Sequence, residues 1–315
     1  MRADRWQHDQ RQAATGHGRK VSRMMRMIDA ATLERVRTRL ERVLAAPVDT
    51  YMPLRVDGVV TGWVGSKRWP RLARFADVFR IDGDGLAFVP ALRDAGERSA
   101  ALAGVTACLA REGALTAWRD EQYAVAPELG APPWFTLERA AARYFGVRTW
   151  AAHVNGLVRD GDGARMWLAR RSATKAIDAG MLDNLVGGGI AAGANVARTV
   201  VKESWEEAGI APEIAATARP TGALHIRRDQ PDGLQWETIH AHDIWLPADF
   251  VPVNQDGEAV EHRRVSLAAA AHLIAVDDGP DIVTADASLV VLDCLLRQRA
   301  VDGHHAWIAR LSVPP

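Results

Sequence analysis

The chain has 315 residues, and 39 Lys+Arg against 39 Asp+Glu leave a formal net charge of zero. An AVILMFWYC content of 48% and a charged fraction of 25% fit a folded globular chain, and at about 100–200 residues per domain the length predicts two domains. Even charge gives no support to a nucleic-acid or membrane-surface role, no apolar run reaches the roughly 18 residues of a bilayer span, and the distant Cys108 and Cys294 form neither a zinc ribbon nor a disulfide framework.

Residues 1–27 hold seven basic residues against Asp4 and Asp9. No apolar stretch follows them, as a secretory signal would require, so they are expected to be a disordered head. Residues 28–46 predict a helix, because Leu33, Val36, Leu40 and Val43 recur at helical spacing. Residues 51–64 alternate around Asp57-Gly58 and predict a hairpin. Segments 77–82 and 86–89 predict a strand pair, 95–112 a helix, 122–125 a strand and 137–144 a helix. The Pro- and Gly-rich break over 127–133 and a change of texture at 147 divide the chain into a head (1–27), an N-terminal α+β domain (28–146) and a second domain (147–315).

In the second domain, strands are expected over 147–158, 166–170, 182–186, 221–227 and 236–246, with helices over 195–208 and 286–299. Hairpins mixed with helices predict an α/β (α+β) sandwich with a mixed sheet rather than a doubly wound one.

The chemistry concentrates in one stretch. Gly187-Gly188-Gly189 precede Asn195, a helix cap, and the helix carries Glu203, Glu206 and Glu207 before Gly209. At about 100° per residue the three carboxylates share an arc of roughly 100°, with Ala197, Val201, Trp205 and Ala208 expected on the buried side. Like charges so close repel, and a divalent cation reverses that sign; Mg²⁺ suits one or two carboxylates plus substrate phosphates. A solvated acidic face is the plain alternative.

This stretch resembles the Nudix box, G-x5-E-x7-R-E-U-x-E-E-x-G-U, with U a bulky apolar residue. Gly188, Glu203, Glu206, Glu207, Gly209 and Ile210 match without insertion. Ala194 stands where the box has Glu, Lys202 where it has Arg, and Ser204 at the first U. Further motifs are similar to one Nudix subfamily, with an N-terminal domain of unknown function, related to the Nudix half of fungal thiamine pyrophosphokinases. They include Trp118-Arg119-Asp120-Glu121, Glu138-Arg139-Ala140-Ala141, Trp150–Gly156, Trp167–Ser172 and Leu246–Pro252. Asp178-Ala179-Gly180 departs from the Tyr-Pro-Gly of that group.

The resemblance implies a Nudix α/β/α sandwich preceded by a smaller α+β domain. It implies a Mg²⁺- or Mn²⁺-dependent diphosphatase converting thiamine diphosphate, or its oxidised or damaged analogues, to the monophosphate in a cytoplasmic housecleaning role. Glu203, Glu206 and Glu207 would be metal ligands, and one of them, or Glu258 or Glu261, the general base. The candidate substrate contacts are Arg170, Arg171, Lys175, Asp183, Gly188, Gly189, Lys202, His153 and Asn155. The expected partner is a small-molecule diphosphate, with no nucleic acid or membrane; a homodimer is compatible with the sequence. Alternatives are hydrolysis of ADP-ribose or another nucleoside diphosphate derivative, and a non-catalytic ligand-binding module, which Ala194 favours. Trp150, Trp167, Trp236 and Trp245 are candidates for ring stacking, although core packing accounts for each singly. His240 and His242 share a strand face but lack a third ligand. Gly187-x-Gly189-x-x-Ala192 meets a loose dinucleotide fingerprint, but the helix starts too late for it.

Overall fold

The computed structural model describes residues 28–298, except positions 46, 48 and 162. The head expected over 1–27 lies outside the described residues.

The first element, α1 (Ala30–Val43), is capped by Asp29, whose carboxylate accepts the Thr32 N–H at 2.8 Å. The N-terminal sheet follows. β1 (Tyr51–Val56) turns into β2 (Val59–Gly65) at Asp57 and Gly58, with φ of 50° and 82°. A two-residue hairpin turn of this hand needs positive φ at both positions, which Asp tolerates and Gly adopts freely. A short helix, α2 (Trp69–Ala73), leads to β3 (Phe79–Asp82) and β4 (Gly85–Phe88). The sheet order is β2-β1-β4-β3, with β1 and β4 parallel. Leu102, Val105 and Leu109 of α3 (Ala95–Arg111) share a core with Leu54, Phe79 and Phe88 of that sheet.

β5 (Gln122–Val125) pairs with β6 (Phe135–Glu138). Here the structure departs from the expected helix over 137–144. Leu137 and Glu138 end β6, and helix begins only as a 3-10 turn (Arg139–Ala141) and α4 (Ala142–Phe145). Phe135 and Leu137 are buried while Thr136 between them is not, so alternation into the core overrides helical propensity.

The second unit is built on a seven-stranded mixed sheet. Its elements are β7 (Arg148–Asp160), β8 (Gly163–Arg171), β9 (Leu182–Asn184), β10 (Val186–Gly189), α5 (Val196–Ala208), α6 (Pro212–Ala215), β11 (Arg219–Gln230), β12 (Gly233–Leu246), β13 (Ala259–Ser266), α7 (Leu267–Leu273) and α8 (Ala285–Arg297). The order is β11-β12-β7-β8-β13, with β10 on β7 and β9 on β8; β12 runs parallel to β7. The single strand expected over 182–186 is thus two strands with different partners. The charged run 259–266, where no strand is expected, forms edge strand β13, a position at which charge is common.

Period-two alternation sorts β7 between two cores. Ala152, Val154 and Val158 join Val200 and Ala208 of α5 on one face. Ala151 and Leu157 join α7 and α8 on the other. Val36 and Leu40 of α1 also lie in that second core, although α1 precedes the N-terminal sheet in the chain. Arg39 fastens it there, donating to the Ile274 and Val283 carbonyls and to Ser288 Oγ. The architecture is the expected α/β/α sandwich with a mixed sheet, preceded by an α+β unit.

Candidate active site

The glycines of β10 let two neighbours approach the backbone. A Cβ at position 188 would lie 2.4 Å from Glu203 Cδ, and one at 189 would lie 1.7 Å from Tyr123 Oη. The chain then turns at Gly193 (φ 79°), and Asn195 caps α5 by accepting the Arg198 N–H at 2.9 Å. The helix stops at Gly209 (φ 63°).

The helix is rotated from the expected orientation. Trp205 is 48% exposed, whereas Glu207 is 8% exposed and lies among the buried residues Val200, Ser204 and Ala208. The reason is local: glycines leave no side chains between β10 and α5, so Glu203 packs on Gly188 and Glu207 Oε2 accepts the Gly187 N–H at 2.8 Å. Burial pushes Glu207 up to about 8, with the Glu203 and Asp183 charges adding to it and the Gly187 N–H and Lys175 opposing.

Among the described residues, no three His, Cys, Asp or Glu side chains are grouped to hold a metal ion. Two carboxylates do share a cation: Lys202 Nζ lies 2.9 Å from Glu203 Oε1 and 2.6 Å from Glu206 Oε2. Glu207 is held apart at Gly187. A divalent ion fits this donor set, because Mg²⁺ typically takes one or two protein carboxylates and completes its shell with water and phosphate oxygens.

A cleft of about 470 Å³ opens between the two units. Gly187, Gly188 and Gly189 line it, with Asp183, Arg171, Lys175 and His153 from the second unit. The glutamates of α5 lie behind this glycine wall rather than on it. Arg171 donates to Asp183 at 2.8 Å, and Lys175 pairs with Glu258.

Three expected contacts are placed elsewhere. Arg170 is consumed by Glu261, Asp281 and the Gly180 and Pro280 carbonyls, so it straps the loops together outside the cleft. Asn155 is fully buried in a relay: Asn184 Nδ2 donates to it at 2.9 Å, and it donates to Asp243 Oδ1 at 3.0 Å. Asp243 in turn pairs with Arg297. Lys202 points to the glutamates and does not line the cleft. Glu261 is held low by Arg263 and Arg170. Of the four candidate tryptophans only Trp236 lines the cleft; Trp150 packs with Ala126 and Ile190. His240 Nε2 is buried without a partner, and no third ligand joins it among the described residues.

Several cleft residues escape sequence reasoning: Arg119, Tyr123, Arg139, Asp178, Gln235, Glu237 and Asp286. Gln235 Nε2 donates to both Glu237 and Asp286, at 3.2 and 2.8 Å. The motifs over 118–121 and 138–141 were the available signal for Arg119 and Arg139, but nothing in them tells which residue faces which unit.

A family model described as a NUDIX domain matches residues 149–285, and one described as a domain of unknown function (DUF4743) matches residues 33–149. The chain is 34% identical over 258 residues to Nudix hydrolase 20, chloroplastic, of Arabidopsis thaliana, covering 78% of this chain and 68% of the relative. It is also 34% identical over 250 residues to Nudix hydrolase 24, chloroplastic, of the same plant, covering 78% and 67%. A solved Deinococcus radiodurans structure is 22% identical with a TM-score of 0.39, over 54% of this chain and 97% of that one.

Proposed function

This chain belongs to the Nudix hydrolase family, and we propose that it is a divalent-metal-dependent diphosphatase acting on thiamine diphosphate, or an oxidised or damaged analogue, to yield the monophosphate. The observation that carries the reading is the pair Glu203 and Glu206 sharing one cation, behind a glycine strand that walls a 470 Å³ cleft.

Glu203 and Glu206 would hold the ion, with Glu207 held apart at Gly187. When bound, such an ion neutralises diphosphate oxygens and acidifies a water. Arg171 and Lys175 bind the diphosphate by charge-assisted hydrogen bonds from the cleft wall. Glu207 is the candidate base, and burial raises its proton affinity. Its Oε1 accepts no hydrogen bond among the described residues. Asp178, Glu237 and Asp286 line the cleft with Trp236, and this mix of acids and an aromatic suits a cationic heterocycle.

Chromatographic detection of the products from a diphosphate panel with Mg²⁺ and Mn²⁺ tests the reading. Turnover of thiamine diphosphate or oxythiamine diphosphate above ADP-ribose is expected. Turnover of ADP-ribose with none of the thiamine compounds would overturn the substrate, and no turnover of any diphosphate would overturn the activity.

A further inference from the structure

We propose that Arg119, supplied by the N-terminal unit, binds the substrate's diphosphate, so that the anion subsite is completed across the boundary between the two units. The proposal rests on the diphosphatase reading for its substrate and on the following geometry for its place.

The two N-terminal motifs interlock. The Arg119 N–H donates to Glu138 Oε1 at 2.9 Å, and the Arg139 N–H donates to the Glu121 carbonyl at 2.8 Å. Arg139 Nη1 also donates to Glu121 Oε2 at 2.7 Å. Glu138 is 2% exposed, so a buried carboxylate fixes the backbone at Arg119. Ala117 and Asp120 flank it at φ of 63° and 55°, a conformation that L side chains rarely adopt and that surrounding contacts must hold in place. The loop is thereby set with Arg119 on the cleft wall.

Five cations line the same cleft: Arg119, Arg139, Arg143, Arg171 and Lys175. Arg139 has Glu121, Arg143 has Asp232 and Arg171 has Asp183. Arg119 and Lys175 share the one carboxylate of Glu258, with Arg119 Nη1 3.3 Å from Oε1 and Lys175 on Oε2. Four carboxylates thus pair with these five cations, and Arg119 and Lys175 are the two that share one. Burial above all pulls the Lys175 ammonium down to about 8; Glu207 opposes this, and Arg171, Arg119 and Arg139 add to it. Arg119 stays 38% exposed, within reach of a ligand. A phosphate group competes with Glu258 for Arg119 and Lys175. The guanidinium can meet two phosphate oxygens at once, which an ammonium cannot.

The experiment compares wild type, Arg119→Ala, Arg119→Lys and Glu258→Gln, all full chain. Inorganic pyrophosphate binding is measured by calorimetry without metal, and steady-state kinetics use thiamine diphosphate with Mn²⁺. Arg119→Ala is expected to weaken pyrophosphate binding and raise KM by about 10-fold or more, the scale of a lost hydrogen bond between charged groups, with kcat little changed. Arg119→Lys should recover part of this, and Glu258→Gln should tighten pyrophosphate binding by releasing both cations. Unchanged pyrophosphate affinity in Arg119→Ala overturns the proposal. So does equal weakening in Arg119→Ala and Glu258→Gln, which would make Arg119 only an anchor for Glu258. A wild type inert on every diphosphate, with pyrophosphate binding still lost in Arg119→Ala, rejects the proposed activity but supports this subsite.

Discussion

Gly188→Ala isolates the contact that positions Glu203. The backbone at 188 is extended and pairs with Ala152 of β7, so alanine is conformationally allowed there. A Gly→Ala change at a compatible site usually stabilises by about 0.4–1 kcal/mol through the unfolded state. Here the new Cβ would meet Glu203 Cδ at 2.4 Å, Cγ at 2.5 Å and Oε2 at 2.8 Å. Relief requires the glutamate to retreat by roughly 1 Å, a displacement that can cost about 10²-fold in rate when a reacting constellation is disturbed. Overpacking adds about 1–3 kcal/mol of strain, which leaves a net loss of about 0–2.6 kcal/mol after the entropic gain. Initial rates of phosphate release and the thermal midpoint read the two effects. Gly104→Ala in α3 is the control: its Cβ meets nothing within 4 Å, so it should raise stability slightly and leave rates alone. A Gly188→Ala protein with full turnover and an unmoved midpoint would refute the argument that this glycine exists to seat Glu203.

Glu206→Gln should cut turnover by orders of magnitude while the fold and melting midpoint persist, since Glu206 is part-exposed and its carboxylate pairs with Lys202; wild-type rates would remove it from the site. In the metal-free chain, Glu207 carries a raised proton affinity, so the stability it contributes is complete below about 4.5 and declines as pH rises through about 8. Glu207→Gln should flatten that slope in chemical-denaturation curves taken across this window, and an unaltered slope would contradict the assignment. Asn155→Ala should cost about 1–3 kcal/mol by leaving Asn184 and Asp243 short of a buried partner. Its KM should stay near wild type, whereas a selective rise in KM would return Asn155 to the substrate list.

The three glycines, the Asn195 cap, the Gly209 stop and the glutamate triplet were legible because each is a local signal with fixed spacing, although the glycines lie in a strand that was expected to end at 186. The rotation of α5 was not. Hydrophobic periodicity assigns Trp205 inward and Glu207 outward, but the buried Gly187 N–H offers Glu207 a partner that no helical wheel contains. The strand β13 was hidden because an edge strand does not need alternating apolar residues. Asn155 read as a candidate contact for want of its partners, which come from β9, β12 and the last helix. The basic wall of the cleft was legible only for Arg171 and Lys175. Arg119 and Arg139 arrive through a meeting of two short motifs about twenty positions apart, and tertiary packing alone shows which way they face.

The seat of α1 bears on how the protein is made. This helix leaves the ribosome well before its partners, since Arg39 reaches across 235 residues to Ile274 and 249 to Ser288. Its apolar stripe must therefore wait, uncovered, until α7 and α8 have been synthesised. Docking α1 becomes an event that follows α8, and a product truncated before α8 would keep a sticky helix with nowhere to dock.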